Sequence, residues 1–157
     1  MADYDSAKDT KTHIGKVQNR IWECVINLNE RARVHDASKL QEPEKSGYDV
    51  LGQLLYSTPY GTPEYFAVMN DEPIKGAIQH HITNNRHHPE AHQGGANGMT
   101  LLDILEMFCD WKAASERNER MTFEEGLGVN REKRADEWGI DEQLWRIFEN
   151  TRRDLGW

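Results

Sequence analysis

The chain has 157 residues, enough for one domain that buries roughly 68–70% of the surface of its unfolded chain. Nineteen Lys and Arg against 27 Asp and Glu leave a net charge of −8, which argues against holding a long nucleic acid or an anionic lipid surface by bulk electrostatics. With 37% hydrophobic and 29% charged residues the composition is globular, and no apolar run approaches the roughly 18–20 residues needed to span a bilayer.

The opening MADYDSAKDT has no apolar stretch behind a basic start, so no secretory signal is expected and the predicted location is the cytoplasm. Residues 1–9 read as a polar lead to a single domain over 1–157. Ile14, Val17, Ile21, Val25 and Leu28 then recur at steps of three and four, one face of a helix that Thr10 or Thr12 can cap. The poor helix formers Asn27 and Asn29 predict a break, followed by a short second helix over 30–40. Residues 41–64, with Pro43, Pro59, Pro63 and three glycines around Val50, Leu51, Leu54 and Leu55, read as loops around a helical turn or two. Helices follow over 63–69, with proline in the first turn, and over 74–83 behind Pro73.

Residues 84–99, NNRHHPEAHQGGANGM, have loop composition. So long a loop in a compact domain is usually functional. Thr100 with Asp103 three residues on opens the clearest helix, over 100–117, apolar on nearly all sides. Thr122 and Glu125 form a capping pattern, Gly126 and Gly128 act as breakers, a charged stretch NREKRADEW follows, and a final helix starts at Asp141. No alternation of period two runs beyond four residues, so the fold class is all-α. Cys24 and Cys109 lie in apolar helical patterns and read as small buried hydrophobes, with no disulfide framework. Trp138, Trp145 and Trp157 could cover a dimer interface or finish the core, which leaves a homo-oligomer open.

Three groups of residues carry chemistry. His35 and Asp36 offer an imidazole nitrogen and a carboxylate oxygen, a ligand pair that divalent first-row metals accept. On the helix over 100–117, Asp103, Met107, Asp110 and Ala114 share a stripe. Asp110, between Phe108, Cys109, Trp111 and Ala113, needs a partner or a metal, because a carboxylate in apolar surroundings costs several kcal/mol. Asp103 stands about 10 Å away along the axis and has a simpler task in the first turn, offsetting the helix dipole. Asp110 is therefore the expected ligand, and Glu106 an acid/base or a ligand to a second ion. The third group is His80, His81, His87, His88 and His92, five of the seven histidines within thirteen residues, where imidazole is the commonest metal ligand. The segment HHPEAH fits neither zinc-protease spacing, and Pro89 interrupts the helix such a motif requires.

A His near the start of the first helix (His13, in HIGKV), the pair in HDASK, later histidines and an Asp on a following apolar helix resemble the H…HD…D pattern of HD-domain metal phosphohydrolases. The run NNRHHPEAH…MTLLDILEMFCDWKAA is similar, more closely, to an uncharacterised family of HD-like proteins frequent in bacteriophages and bacteria, over roughly residues 10–151. The resemblance implies an all-helical HD-like bundle around one or two divalent ions, with Mn, Co, Mg, Fe and Zn all open. It carries His35, Asp36 and Asp110 over as ligands, His81 and His88 as the next, and His13, His80 and His87 as further candidates. His13 and His35 are 22 residues apart, about 33 Å along a continuous helix, so they share an ion only if the chain turns back near Asn27. Lys39 matches the Lys that follows HD in related enzymes, and Lys39 and Arg86 are the expected phosphate contacts. Tyr60 and Tyr65 could stack on a base, but such loop aromatics more often pack against their own domain. Asp36, Glu106 and Lys39 are the expected catalytic residues.

The function this predicts is hydrolysis of a nucleotide phosphate by a metal-activated water, with a small-molecule substrate and no membrane partner. A diiron HD-type oxygenase and a non-catalytic His-rich metal-binding module are the alternatives.

Overall fold

The computed structural model describes residues 5–72, 74–117 and 121–157, and Pro73 lies outside them. Among the described residues there are seven α-helices and no strand: α1 (Ser6–Val34), α2 (Glu44–Leu55), α3 (Pro63–Met69), α4 (Ile74–Asn84), α5 (Leu101–Arg117), α6 (Phe123–Trp138) and α7 (Glu142–Leu155). Short 3-10 turns occupy Ala37–Leu40, Pro89–Ala91 and Gly95–Gly98. The fold is all-α, and no described helix is long and apolar enough to cross a membrane. The chain divides into two compact units, 1–35 and 36–157.

The first unit is α1, a single helix of 29 residues. The expected break at Asn27 and Asn29 does not occur. Each asparagine costs only about half a kcal/mol in a long helix, and the Asn27 side chain accepts a hydrogen bond from Arg31 Nε one turn on, at 2.8 Å. The cap is Asp5, whose carboxylate accepts from the backbone N–H of Ala7 and Lys8, so residues 6–9 are the first turn rather than a lead. Thr10 and Thr12 instead bond back to the carbonyls of Ser6 and Lys8 inside the helix. The expected second helix over 30–40 is the end of α1 plus the turn Ala37–Leu40. Ile14, Val17, Ile21 and Val25 share a face, but α1 buries none of its residues. Cys24 is exposed, against expectation, as is Cys109 on α5.

In the second unit two helices exceed the sequence reading. α2 runs for twelve residues where a turn or two was expected, because Glu44, Gly47 and Leu51 make a buried face that α4 covers. α6 runs straight through Gly126 and Gly128 to Trp138, held at its start by a complete capping box between Thr122 and Glu125. The other expected helices stand: Thr62 caps α3, and Asp141 caps α7.

The core lies among α5, α6 and α7 and is largely aromatic. Phe108 stacks on Phe148 at 5.1 Å, and Trp111 stacks on Trp138 and Trp145 at 5.3 and 6.0 Å. Trp138 and Trp145 are buried and Trp157 packs against the cluster, so the C-terminal tryptophans finish the core. α5 is therefore one-sided rather than apolar all round: it buries Asp103, Met107 and Phe108 and leaves Leu101 and Cys109 in solvent.

The histidine loop is fixed to this core at two points. Trp138 Nε1 donates to Glu90 Oε1 at 2.7 Å. Gly95, at φ +63°, passes so close to the end of α6 that a Cβ would lie 2.3 Å from the Trp138 carbonyl oxygen, so only glycine fits. The loop is thus a built part of the domain.

Candidate metal centre

α1 ends at His35, which closes it as a half-buried C-cap. Asp36 follows in the left-handed conformation, at φ 57° and ψ 12°. Among the described residues it is the only non-glycine with positive φ, and Asp tolerates that region better than most. Such backbone is sparsely populated and gathers at functional sites. Here it opens the turn Ala37–Leu40 that carries Ser38 and Lys39.

The Asp36 carboxylate has two tasks. Oδ2 accepts from Lys39 Nζ at 2.6 Å, while Oδ1 faces His81 Nε2 at 3.2 Å and His87 Nε2 at 3.4 Å. His81 comes from α4, and His87 and His88 from the loop that follows. The rings pack edge to face or tilted, with centroids 4.8 Å apart for His81 and His88 and 4.3 Å for His87 and His88. One ring nitrogen from each of the three lies within 4.8 Å of the others.

The buried Nε2 atoms of His81 and His88 have no hydrogen-bond partner. His81 Nε2 is near a carboxylate oxygen yet out of hydrogen-bond geometry with it, as expected of two atoms aimed at a common third point. An orphaned polar atom in a protein interior costs about 1–3 kcal/mol, and unmodified folds rarely keep two side by side. Burial first, then the neighbouring imidazoles of His87 and His81, pushes His88 down to about 3, so its ring is neutral and able to ligate throughout the ordinary pH range. These residues fit a divalent cation.

Behind His81 stands Glu44, which the sequence reading missed. It is fully buried on the inner face of α2. Its Oε1 accepts from His80 Nδ1 at 2.7 Å, and its Oε2 accepts from His81 Nδ1 and Ser38 Oγ, both at 2.9 Å. Burial pushes the carboxyl up, but these bonds from His80, Ser38 and His81 outweigh it and hold the group below its ordinary value. A carboxylate on Nδ1 puts the proton there and leaves the Nε2 lone pair directed into the centre, the arrangement that orients metal-bound histidines. Asn85 completes the support, donating through Nδ2 to Ser38 Oγ at 2.9 Å and to the His81 carbonyl at 2.8 Å. The signal for Glu44 was its place at i, i+3 and i+7 with Gly47 and Leu51, readable only once α2 is known to be a helix.

α5 supplies the remaining carboxylates. Glu106 Oε1 is 3.4 Å from His87 Nδ1, a role like that of Glu44 toward His81. Asp110 is half-buried, and its charge raises His88 and Tyr48. Asp103 is the fully buried one: its Oδ2 accepts from the Thr100 backbone N–H and hydroxyl, and both its oxygens accept from the Arg86 guanidinium at 3.1 and 3.2 Å. That is the structural task expected of it, and it also engages Arg86. The centre thus includes the carboxylates of Asp36, Glu44, Glu106 and Asp110 and the ammonium of Lys39, which lies over the Tyr48 ring at 4.8 Å.

The structure brings His81, His87, His88, Asp36 and Glu106 together and places Lys39 on Asp36. His80 turns to Glu44, and His92 donates to the Arg86 carbonyl at 2.8 Å, so neither belongs to the group of three. His13 sits exposed in the second turn of the unbroken α1, about 33 Å along the axis from His35, so the two cannot share an ion. That corrects the inclusion of His13 in a ligand set with His35.

A family model described as a family of unknown function, DUF5662, matches residues 2–154. The chain belongs to the DUF5662 family. No curated protein and no solved structure matches it. In this DUF5662 protein the matched span includes every residue of the centre, from Asp36 to Asp110.

Proposed function

We propose that the centre binds one or two divalent cations and that the protein is a phosphohydrolase acting on a nucleotide in the cytoplasm. The observation that carries this reading is the pair of buried, partnerless Nε2 atoms on His81 and His88, the first of them 3.2 Å from Asp36 Oδ1. His81, His87, His88 and Asp36 would hold the ion, with Asp110 beside them and His35, one residue before Asp36, as a further candidate. A bound divalent ion supplies a water of lowered pKa and polarises a phosphoryl oxygen.

The chain's own groups do the rest. Glu44 accepts from His81 Nδ1 and directs the opposite nitrogen of that ring toward the ion, and Glu106 Oε1 stands 3.4 Å from His87 Nδ1 on the corresponding side of the second ring. Lys39, tied to Asp36 and partly exposed, offers an ammonium to an incoming phosphate. Asp36 is both candidate ligand and anchor of that Lys, so its loss removes two functions at once. The net negative charge favours a small polyanion gripped at an ion over a long nucleic acid held by surface charge.

The test is elemental analysis of the purified protein, followed by a phosphate-release screen over nucleotides with Mn²⁺, Co²⁺ or Mg²⁺ and a chelator control. Chelator-sensitive release, lost in Asp36→Ala and Asp110→Ala while helix content persists, is the expected result. Bound metal without release overturns the hydrolase in favour of an oxygenase or a structural ion, and no metal under any condition overturns the centre itself.

A further inference from the structure

One helical turn beyond Asp110 along α5 lies a separate apolar cavity of about 140 Å³, lined among others by Tyr60, Trp111, Phe123, Gly126, Leu127 and Asn130. It shares Tyr60, Ala114 and Met121 with a wider groove of about 790 Å³ bordered by α2 and the end of α5. A space near 150 Å³ takes a single six-membered ring such as benzene. The fused rings of a purine exceed it.

The wall carries one buried polar pair. Asn130, only 5% exposed, accepts through Oδ1 from the Tyr60 hydroxyl at 2.6 Å. An amide and a phenol together provide donors and acceptors at one spot in an otherwise apolar lining, the chemistry that orients a ring with a hydrogen-bonding edge.

A second, independent feature is Gly126. Glycine is among the poorest residues inside a helix, yet it closes the first turn of α6. A Cβ there would meet only Met121 Sδ, at 3.8 Å, so the backbone packing does not demand glycine. Gly126 and Met121 both line the cavity, so a larger side chain at 126 is the change that would reduce its space. Ala114, on the same wall, follows Asp110 by four residues, about 6 Å along the helix axis.

We infer that this cavity is the subsite for the pyrimidine ring of the substrate, with Asn130 and Tyr60 reading its polar edge. The choice of a nucleotide rests on the phosphohydrolase reading; the ring site itself does not. The test is calorimetric titration of the full chain with deoxycytidine, thymidine, deoxyadenosine and deoxyribose. Both pyrimidine nucleosides should bind at least tenfold more tightly than deoxyadenosine, with deoxyribose silent. Gly126→Leu, which fills the cavity, should weaken them at least tenfold, and Gly126→Ala should fall between. Both variants should melt at or above the parent temperature, and if Gly126→Leu melts lower, Gly126→Ala alone decides. Equal binding of deoxyadenosine, no pyrimidine binding by the parent, or unchanged binding by a well-folded glycine variant each overturns the proposal. The nucleosides carry no phosphate, so this result stands apart from the release screen: binding without hydrolysis sinks the hydrolase and keeps the ring site.

Discussion

The two sides of α5 are built on opposite physical terms. One presents Phe108 and Trp111 to an aromatic core in which Phe108, 1% exposed, stacks on Phe148 and Trp157. The other presents Asp103, Glu106 and Asp110 toward charged and imidazole groups. On the first side the buried surface is almost wholly apolar, with the indole Nε1 of Trp145 a buried polar atom without a partner, and dispersion and hydrophobic burial act together. On the second, buried nitrogens of His81 and His88 lack partners, so that side subtracts from stability when no cation is bound. A fold that holds such a cluster must be stabilised elsewhere, and the aromatic core is where that surplus lies.

The contrast is broken most directly at Phe108. Phe108→Ala should cost about 3–5 kcal/mol of unfolding free energy in a denaturant titration, enough to abolish much of a domain's margin. A loss under about 1 kcal/mol would mean that the core does not carry the stability. A smaller effect of a different kind is expected at Glu44→Gln. An amide has one acceptor oxygen where the carboxylate uses two, so one of the bonds from His80 and His81 is lost, and metal affinity should fall about 10- to 100-fold by isothermal titration while helix content stays. Unchanged affinity would remove Glu44 from the support of the centre.

The smallest effect is the pH response of the metal-free chain. His88 is held down to about 3 when folded, while the unfolded chain takes up its proton near 6.5. The unfolded state therefore binds the extra proton between these values, and stability falls as pH drops through that window, by up to about 1.4 kcal/mol per pH unit. Between pH 6.5 and 5.5 the loss should approach 1 kcal/mol in denaturant midpoints, and His88→Leu should flatten it. Glu44, lowered from 4.5, adds its own loss only below that value. A slope unchanged by the substitution would show that His88 is not the group responsible.

Local chemistry was legible where capping and composition act over a few residues. The starts of α3, α6 and α7 follow from Thr62, Thr122 and Asp141, each of which accepts a backbone N–H three residues on. The density of histidines in 80–92 marked the centre, and HDASK marked the residue opposite it. Propensity failed where tertiary packing or helix length outweighs half a kcal/mol per residue: α1 continues through Asn27 and Asn29, α6 through two glycines, and α2 forms among prolines and glycines because α4 buries its face.

By itself, then, the sequence determined the all-α class, the caps and the supply of ligand-bearing side chains, since these depend on neighbours within about one turn. Only the tertiary structure decided which histidines converge. His80 and His81 are adjacent in the chain, yet Glu44, 36 and 37 residues away, binds both and leaves only His81 aimed at Asp36. The direction of a side chain in a folded interior is set by partners brought from distant segments, and no spacing rule contains them.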